Sequence, residues 1–192
     1  MSAFIGGHPN WRIQETAFTG LWRIIKIGDD QAIIGDRLEI SFIPVELLTS
    51  MRHQANPNPP VPVIPPDAMN APSLIEEIRA RSREYQAGDP PHCINLTLLP
   101  VNETDLDLLY GWLGHQQISI LSRGYGNCRV TSTCLENVWW VQYFNSMDTL
   151  ILNSIEITEM PEIVLASRED LEDLTPRLRE YRHSLGGISH GI

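Results

Sequence analysis

Positive charge is scarce in this chain. Its 192 residues hold 14 Lys and Arg against 24 Asp and Glu, a formal net charge of −10. A nucleic-acid binder needs clustered cations to neutralise phosphates, so that class is excluded. No basic amphipathic stretch suits a membrane surface. Long apolar runs are missing, and nothing approaches the length of a membrane span. The opening MSAFIGGHPNW has neither the charged nor the apolar segment of an export signal. These absences predict a soluble, cytoplasmic protein that contacts neither nucleic acid nor membrane.

Cysteine is equally sparse. Cys93, Cys128 and Cys134 make an odd number, and no C-x-x-C occurs, so a disulfide framework is excluded. Cys128 and Cys134 on one extended strand would lie roughly 20 Å apart, too far to share an ion. A structural zinc site wants four ligands, usually in close pairs. We therefore expect no metal and no cofactor. His92 beside Cys93 is the one adjacent pair of ligand-type residues worth noting.

Catalytic signatures are absent as well. There is no G-x-x-x-x-G-K-[ST], G-x-S-x-G or H-E-x-x-H. The Gly-rich GYGN at 124–127 leads into a strand, whereas a phosphate cradle needs a helix N-terminus. The carboxylates gather at helix starts (Glu103, Asp105, Asp107; Glu169, Asp170, Glu172, Asp173), where caps and dipoles place them. The expectation is a protein that is not an enzyme.

What is present is a repeat. Sliding the chain against itself by 117 residues lays WRIQETAFTGLWRI (11–24) on CRVTSTCLENVWWV (128–141), and DRLEISFIPVELLTS (36–50) on NSIEITEMPEIVLAS (153–167). Eleven of the 47 aligned pairs from position 4 to 50 are identical, Trp22/Trp139 and Pro44/Pro161 among them. Average residue frequencies would give roughly three. Further on the offset becomes 96, where LIEEIRARSREY (74–85) meets a second segment ending in R-x-R-E-Y. The difference, 117 − 96 = 21, matches a proline-rich insertion at 53–72, HQANPNPPVPVIPPDAMNAP, which cannot be helix or central strand.

The second copy supplies the full plan, β-α-β-β-β-β-α. CINLTLLP (93–100) reads as a strand. NETDLDLLYGWLG (102–114) reads as a helix capped by Asn102 and stopped by Gly114. Four strands follow, with a turn at Glu136-Asn137 that is Thr19-Gly20 in the first copy. Asn and Gly both tolerate the positive φ of a tight hairpin. A closing helix spans 167–185, with a Ser167 cap and a kink or break expected at Pro176. The fold class is thus α+β: two pseudo-symmetric repeats of a largely antiparallel sheet packed with helices. We divide the chain into a truncated first repeat (1–92, with the insertion 53–72) and a complete second repeat (93–192), together one compact unit. The first repeat lacks the opening strand and helix. Either the chain is a shortened form, or another subunit supplies the missing sheet neighbour. Both leave an exposed edge through which a homo-oligomer could form.

Trp139 and Trp140 sit side by side, so on a strand they face opposite ways. Trp139 matches Trp22 and belongs in the core. Trp140 matches Arg23, so its face tolerates charge. It is either a half-exposed anchor beside Tyr125 and Tyr143 or a residue covered by a helix.

INLTLLPVNETDLDLLYGWLG, ISILSRGYGNCRVTSTCLENVWWVQYFNSMDTLILNSIEI and MPEIVLASREDLEDLTPRL together resemble the C-terminal domain of the HupH/HyaF-type hydrogenase expression/formation proteins. The resemblance runs from about residue 11 onward. Members of that family are longer at the N-terminus, which the resemblance makes the source of the missing strand and helix. It implies an accessory or chaperone role in [NiFe] uptake-hydrogenase maturation. It also implies a hydrogenase subunit precursor as client, the iron–sulfur small subunit before export, and a thioredoxin-like companion chaperone as partner. No catalytic residue comes with the resemblance. As client-binding residues we single out Arg123, Gly124, Tyr125, Gly126, Asn127 and Trp140: glycines to shape a loop, aromatics for apolar contact, Arg123 for client carboxylates. Two rival expectations are a metal- or cluster-handling role for His92, Cys93, Cys128 and Cys134, and a scaffold acting through the proline-rich segment.

Overall fold

The chain is α+β. A computed structural model describes residues 2–5, 11–52, 59–114, 118–123 and 127–186. The strands are β1 (Ser2–Ile5), β2 (Trp11–Glu15), β3 (Leu21–Ile27), β4 (Ile33–Ile40), β5 (His92–Asn95), β6 (Ile118–Arg123), β7 (Asn127–Ser132), β8 (Val138–Phe144) and β9 (Leu150–Ile157). The helices are α1 (Val45–Arg52), α2 (Ala71–Glu84), α3 (Glu103–Leu113) and α4 (Arg168–Gly186). Among the described residues the nine strands form one sheet in the order β4-β3-β2-β1-β6-β7-β8-β9-β5, every neighbouring pair antiparallel.

The strand boundaries of β3 and β8, and of β4 and β9, recur 117 residues apart. The turns agree with the chemistry expected of them: Gly20 has φ 79° and Asn137 φ 59°, the left-handed region that Gly and Asn enter most readily. Gly20 is required for a second reason. A Cβ there would lie 2.3 Å from the Leu171 side chain of α4.

One face of the sheet carries a core drawn from both copies: Ile13, Trp22, Ile24, Ile118, Ile120, Val130, Trp139 and Val141, closed by Leu47 of α1 and by Met160 and Val164. The opposite face of the second copy carries another core, where α2 (Leu74, Ile75, Ile78) and α3 (Leu109, Trp112, Leu113) cover Val138, Trp140, Ile155 and Ile157. The helix that ends the first copy thus packs on the second. Helix α4, which ends the second copy, lies beside the first: Tyr181 meets Phe18 edge-on at 5.6 Å and Arg177 sits over the same ring.

The expected break at Pro176 is not found. Helix α4 runs through it as one element, with its start fixed by Ser167 and Asp170, which exchange backbone N–H bonds as a capping box. Residues 59–65 are neither helix nor strand, as so many prolines dictate. No helix among the described residues is long and apolar enough to cross a membrane.

Candidate functional site

The β6–β7 connection is where the sequence points, and the backbone brings its two ends together: Arg123 pairs with Asn127 across the antiparallel ladder. Gly124, Tyr125 and Gly126 lie outside the described residues, as does the side chain of Arg123. Asn127 donates from Nδ2 to Asp148 Oδ1 at 3.1 Å, tying the loop to the β8–β9 turn. That turn is closed by Asn145, whose side-chain oxygen accepts N–H bonds from Met147 and Thr149, and Asp148 takes φ 57°.

Between these two connections opens a cavity of about 420 Å³ lined by Leu121, Ser122, Asn127, Arg129, Phe144 and Asp148. Arg129 stacks over the Phe144 ring at 5.6 Å, which holds the cation in place and gives the cavity one fixed positive wall. Beside it Met147 is 83% exposed, and Leu150 and Ile151 are also exposed. This end of the sheet therefore combines an Asn–Asp pair, a held arginine and uncovered aliphatic side chains. That mixture suits protein recognition, with apolar contact for affinity and polar groups for register. The sequence reading missed Met147, Leu150 and Ile151. The Asn-Ser-Met-Asp turn carries a large apolar residue where a turn needs none, and that was the available signal.

Trp140 does not belong to this surface. It is only 4% exposed, so the expectation of a half-exposed anchor is corrected: a helix covers it. Tyr110 of α3 meets its ring edge-on at 5.4 Å, and its Nε1 donates to Asn153 Oδ1 at 2.5 Å. The reason is the second copy's own helix, which has no described counterpart over Arg23.

The cysteines are separated by environment. Cys128 is buried on β7 opposite Tyr143. Burial pushes its thiol up to about 11, with the Tyr143 hydroxyl bond working the other way. Burial likewise raises Cys93 and Cys134. Raised thiols are poor ligands and nucleophiles, since both roles need the thiolate. Among the described residues no group of three or more His, Cys, Asp or Glu is placed to hold a metal ion. His92 instead pairs with Glu77 at 2.8 Å.

A second cavity, about 710 Å³, lies where Cys93, Tyr143, Glu156 and Glu162 meet Met160, Ile163 and Leu165. Burial raises the Glu156 carboxyl above its ordinary value and pushes Tyr143 up to about 12.

Asp105, read from the sequence only as a helix-start acid, accepts four backbone N–H bonds. Its Oδ1 accepts the backbone N–H groups of Met69, Asn70 and Ala71, and its Oδ2 that of Asn102. Burial opposes the charge, but the donors of Ala71, Asn102, Met69 and Asn70 outweigh it and hold the carboxyl below its usual range. Asp105 thereby ties the far end of the proline-rich segment to α3. Pro59, Pro60, Val61 and Pro62 lie against the same helix, at Leu108, Gly111 and Trp112.

Comparison with known proteins places these features in context. Residues 68–185 match the family described as HupH hydrogenase expression protein, C-terminal conserved region. The hydrogenase expression/formation protein HoxQ of Cupriavidus necator is 42% identical over 189 residues, which is 98% of this chain and 66% of that protein. HupH of Rhodobacter capsulatus, another hydrogenase expression/formation protein, is 44% identical over 177 residues, 92% of this chain and 62% of its own. The chain thus spans somewhat under two thirds of these relatives. The solved structure of the hydrogenase expression protein HupH from Thiobacillus denitrificans superposes with a TM-score of 0.56 at 25% identity, covering 60% of this chain and 96% of the other.

Proposed function

The chain belongs to the HupH family of hydrogenase expression/formation proteins, and from that premise we propose that it is a non-catalytic accessory factor in [NiFe] uptake-hydrogenase maturation. It acts in the cytoplasm as a chaperone, binding a hydrogenase subunit precursor, the iron–sulfur small subunit, before export. A thioredoxin-like chaperone works beside it.

The docking surface of this reading is the end of the sheet formed by residues 123–127 and the β8–β9 turn. The observation that carries it is the exposure of Met147, Leu150 and Ile151, in the turn and strand that follow β8, where Asp148 of the same turn lines a cavity together with Asn127, Arg129 and Phe144. Aliphatic groups left in water favour association by roughly 25 cal/mol per Å² once covered, and the fixed polar wall sets which partner can cover them. Arg123, Gly124, Tyr125 and Gly126, which join β6 to β7 in the sequence, are the further contact residues of this reading. Trp140 contributes by supporting β8 from beneath rather than by contact.

A co-purification experiment tests the assignment. Tagged protein is mixed with the small-subunit precursor carrying its export signal. Capture by the parent and loss in Met147→Asp and Tyr125→Ala variants supports the reading. Equal capture by both variants removes the surface from consideration.

A further inference from the structure

Glu39 and Glu156 stand 117 positions apart, at the same place in the two copies. Both lie on the sheet face of the shared core, opposite Trp22 and Trp139. Their carboxylates are served differently. Glu39 accepts the Ser41 hydroxyl at 2.9 Å and the Val45 N–H at 3.3 Å. Its other oxygen pairs with the Arg37 guanidinium at 3.4 Å, and the same guanidinium bonds Glu46 of α1. The first copy thus bridges β4 and the helix after it with an arginine held between two carboxylates.

In the second copy each of these partners is changed. Arg37 becomes Ser154, a buried residue whose hydroxyl turns to Val141 O at 3.3 Å. Thr158, in the place of Ser41, donates to Met160 O instead. Glu46 becomes Ile163, and an acid returns one position earlier as Glu162, in the place of Val45. Among the described residues no donor or cation serves the Glu156 carboxylate, which burial raises above its ordinary value. A half-buried carboxylate without a partner is costly, and a cation brought beside it lowers that cost.

Where the first copy has Arg37, the second has the cavity of about 710 Å³. Its walls come from β8, β9, the chain that follows β9, and the start of β5. Glu156 and Glu162 line it together with the aliphatic side chains of Met160, Ile163 and Leu165, and no Lys, Arg or His does. This suits a long cationic side chain: carboxylates for the head, aliphatic groups for the stem. Arginine fits better than lysine, because a planar fork can address two carboxylates at once, as Arg37 does. Free arginine would bring its own carboxylate into a cavity that has no cation to meet it. An arginine within a chain brings neutral backbone instead.

We propose that this cavity receives an arginine side chain of a bound polypeptide, whose guanidinium takes between Glu156 and Glu162 the place that Arg37 holds between Glu39 and Glu46. The site stands apart from the docking surface around Met147 and does not depend on it.

Fluorescence anisotropy with a labelled glycine–leucine peptide carrying one central arginine tests the site. The parent binds this peptide saturably. The same peptide with citrulline, which has arginine's shape without its charge, binds about tenfold more weakly. Glu156→Gln weakens the arginine peptide about tenfold and leaves the citrulline peptide unchanged. Glu162→Gln, at an exposed position, has a smaller effect. Saturating arginine peptide slows alkylation of Cys93, which lines the cavity. Met147→Asp binds the arginine peptide like the parent, so failure of the client surface and failure of this site are separable. Thermal melts show that Glu156→Gln is folded; it melts no lower than the parent, since it loses a carboxylate that had no partner. No saturable binding, equal affinity for arginine and citrulline peptides, or an unchanged affinity in Glu156→Gln would each overturn the proposal. So would free arginine competing as well as the peptide.

Discussion

Trp22 and Trp139, 117 residues apart, make the same bond: each indole Nε1 donates to a backbone carbonyl nineteen residues on, Trp22 to Ser41 at 3.0 Å and Trp139 to Thr158 at 3.1 Å. Both rings are fully buried in one shared core. Each bond locks its strand to the chain leaving the next strand, at the point where that chain also bonds back to the hairpin turn, Ser41 N–H to Gly20 O and Thr158 N–H to Asn137 O. The paired tryptophans are thus corner fasteners for the two hairpins.

Replacing either ring by phenylalanine keeps most of the apolar volume and removes the donor. The orphaned carbonyl and the smaller ring together cost about 2–3 kcal/mol for each substitution. Urea unfolding of Trp22→Phe and Trp139→Phe measures this, and the two losses should be of similar size.

Asp105 makes acid stability specific to one residue. Its carboxyl is held below the ordinary value in the folded protein, so its contribution is complete above the ordinary carboxylate range, about 3.9, and is lost as pH falls through the lower folded value. Asp105→Asn, which turns an amide toward part of a ring of N–H donors, costs about 3 kcal/mol at neutral pH. The deficit narrows as pH is lowered toward and below the ordinary carboxylate range. Thermal melts of parent and variant from neutral to acid pH show whether the two curves converge.

Thiol chemistry distinguishes the three cysteines. With Cys128 buried and pushed up to about 11, two units above its ordinary 9.0, its thiolate fraction at pH 8 falls about a hundredfold. Exposed Cys93 alkylates first. Cys128 reacts only after denaturant is added, a sequence that peptide mass mapping of iodoacetamide-treated protein follows directly.

The strands, their hairpins and the caps were legible because each rests on local chemistry: the β-branched and aromatic run of β8, positive φ at Gly20 and Asn137, Asn102 before α3. The repeat made Trp139 legible as core, since Trp22 had to play the same part. Trp140 was not, because its burial depends on Tyr110 in a helix that β6 and β7 separate from it in sequence. Of the kink or break expected at Pro176, the break fails for a like reason. Local propensity argues for a break, yet the turns on both sides continue one helix. The nine-strand order and the crossing of α2 onto the second copy were also invisible, as they follow from which faces remain uncovered once all strands have paired.

The proposed docking of a hydrogenase small-subunit precursor concerns the sheet end around Met147 and the 123–127 connection. The most direct measurement is the dissociation constant of that precursor for the parent, for Met147→Asp, and for Met147→Ala/Ile151→Ala, each first shown to melt like the parent. Losing a buried anchor at an interface costs about 1–2 kcal/mol or more, so the account predicts affinity weakened about tenfold or beyond in both variants. Unchanged affinity in both, with binding by the parent intact, would contradict it.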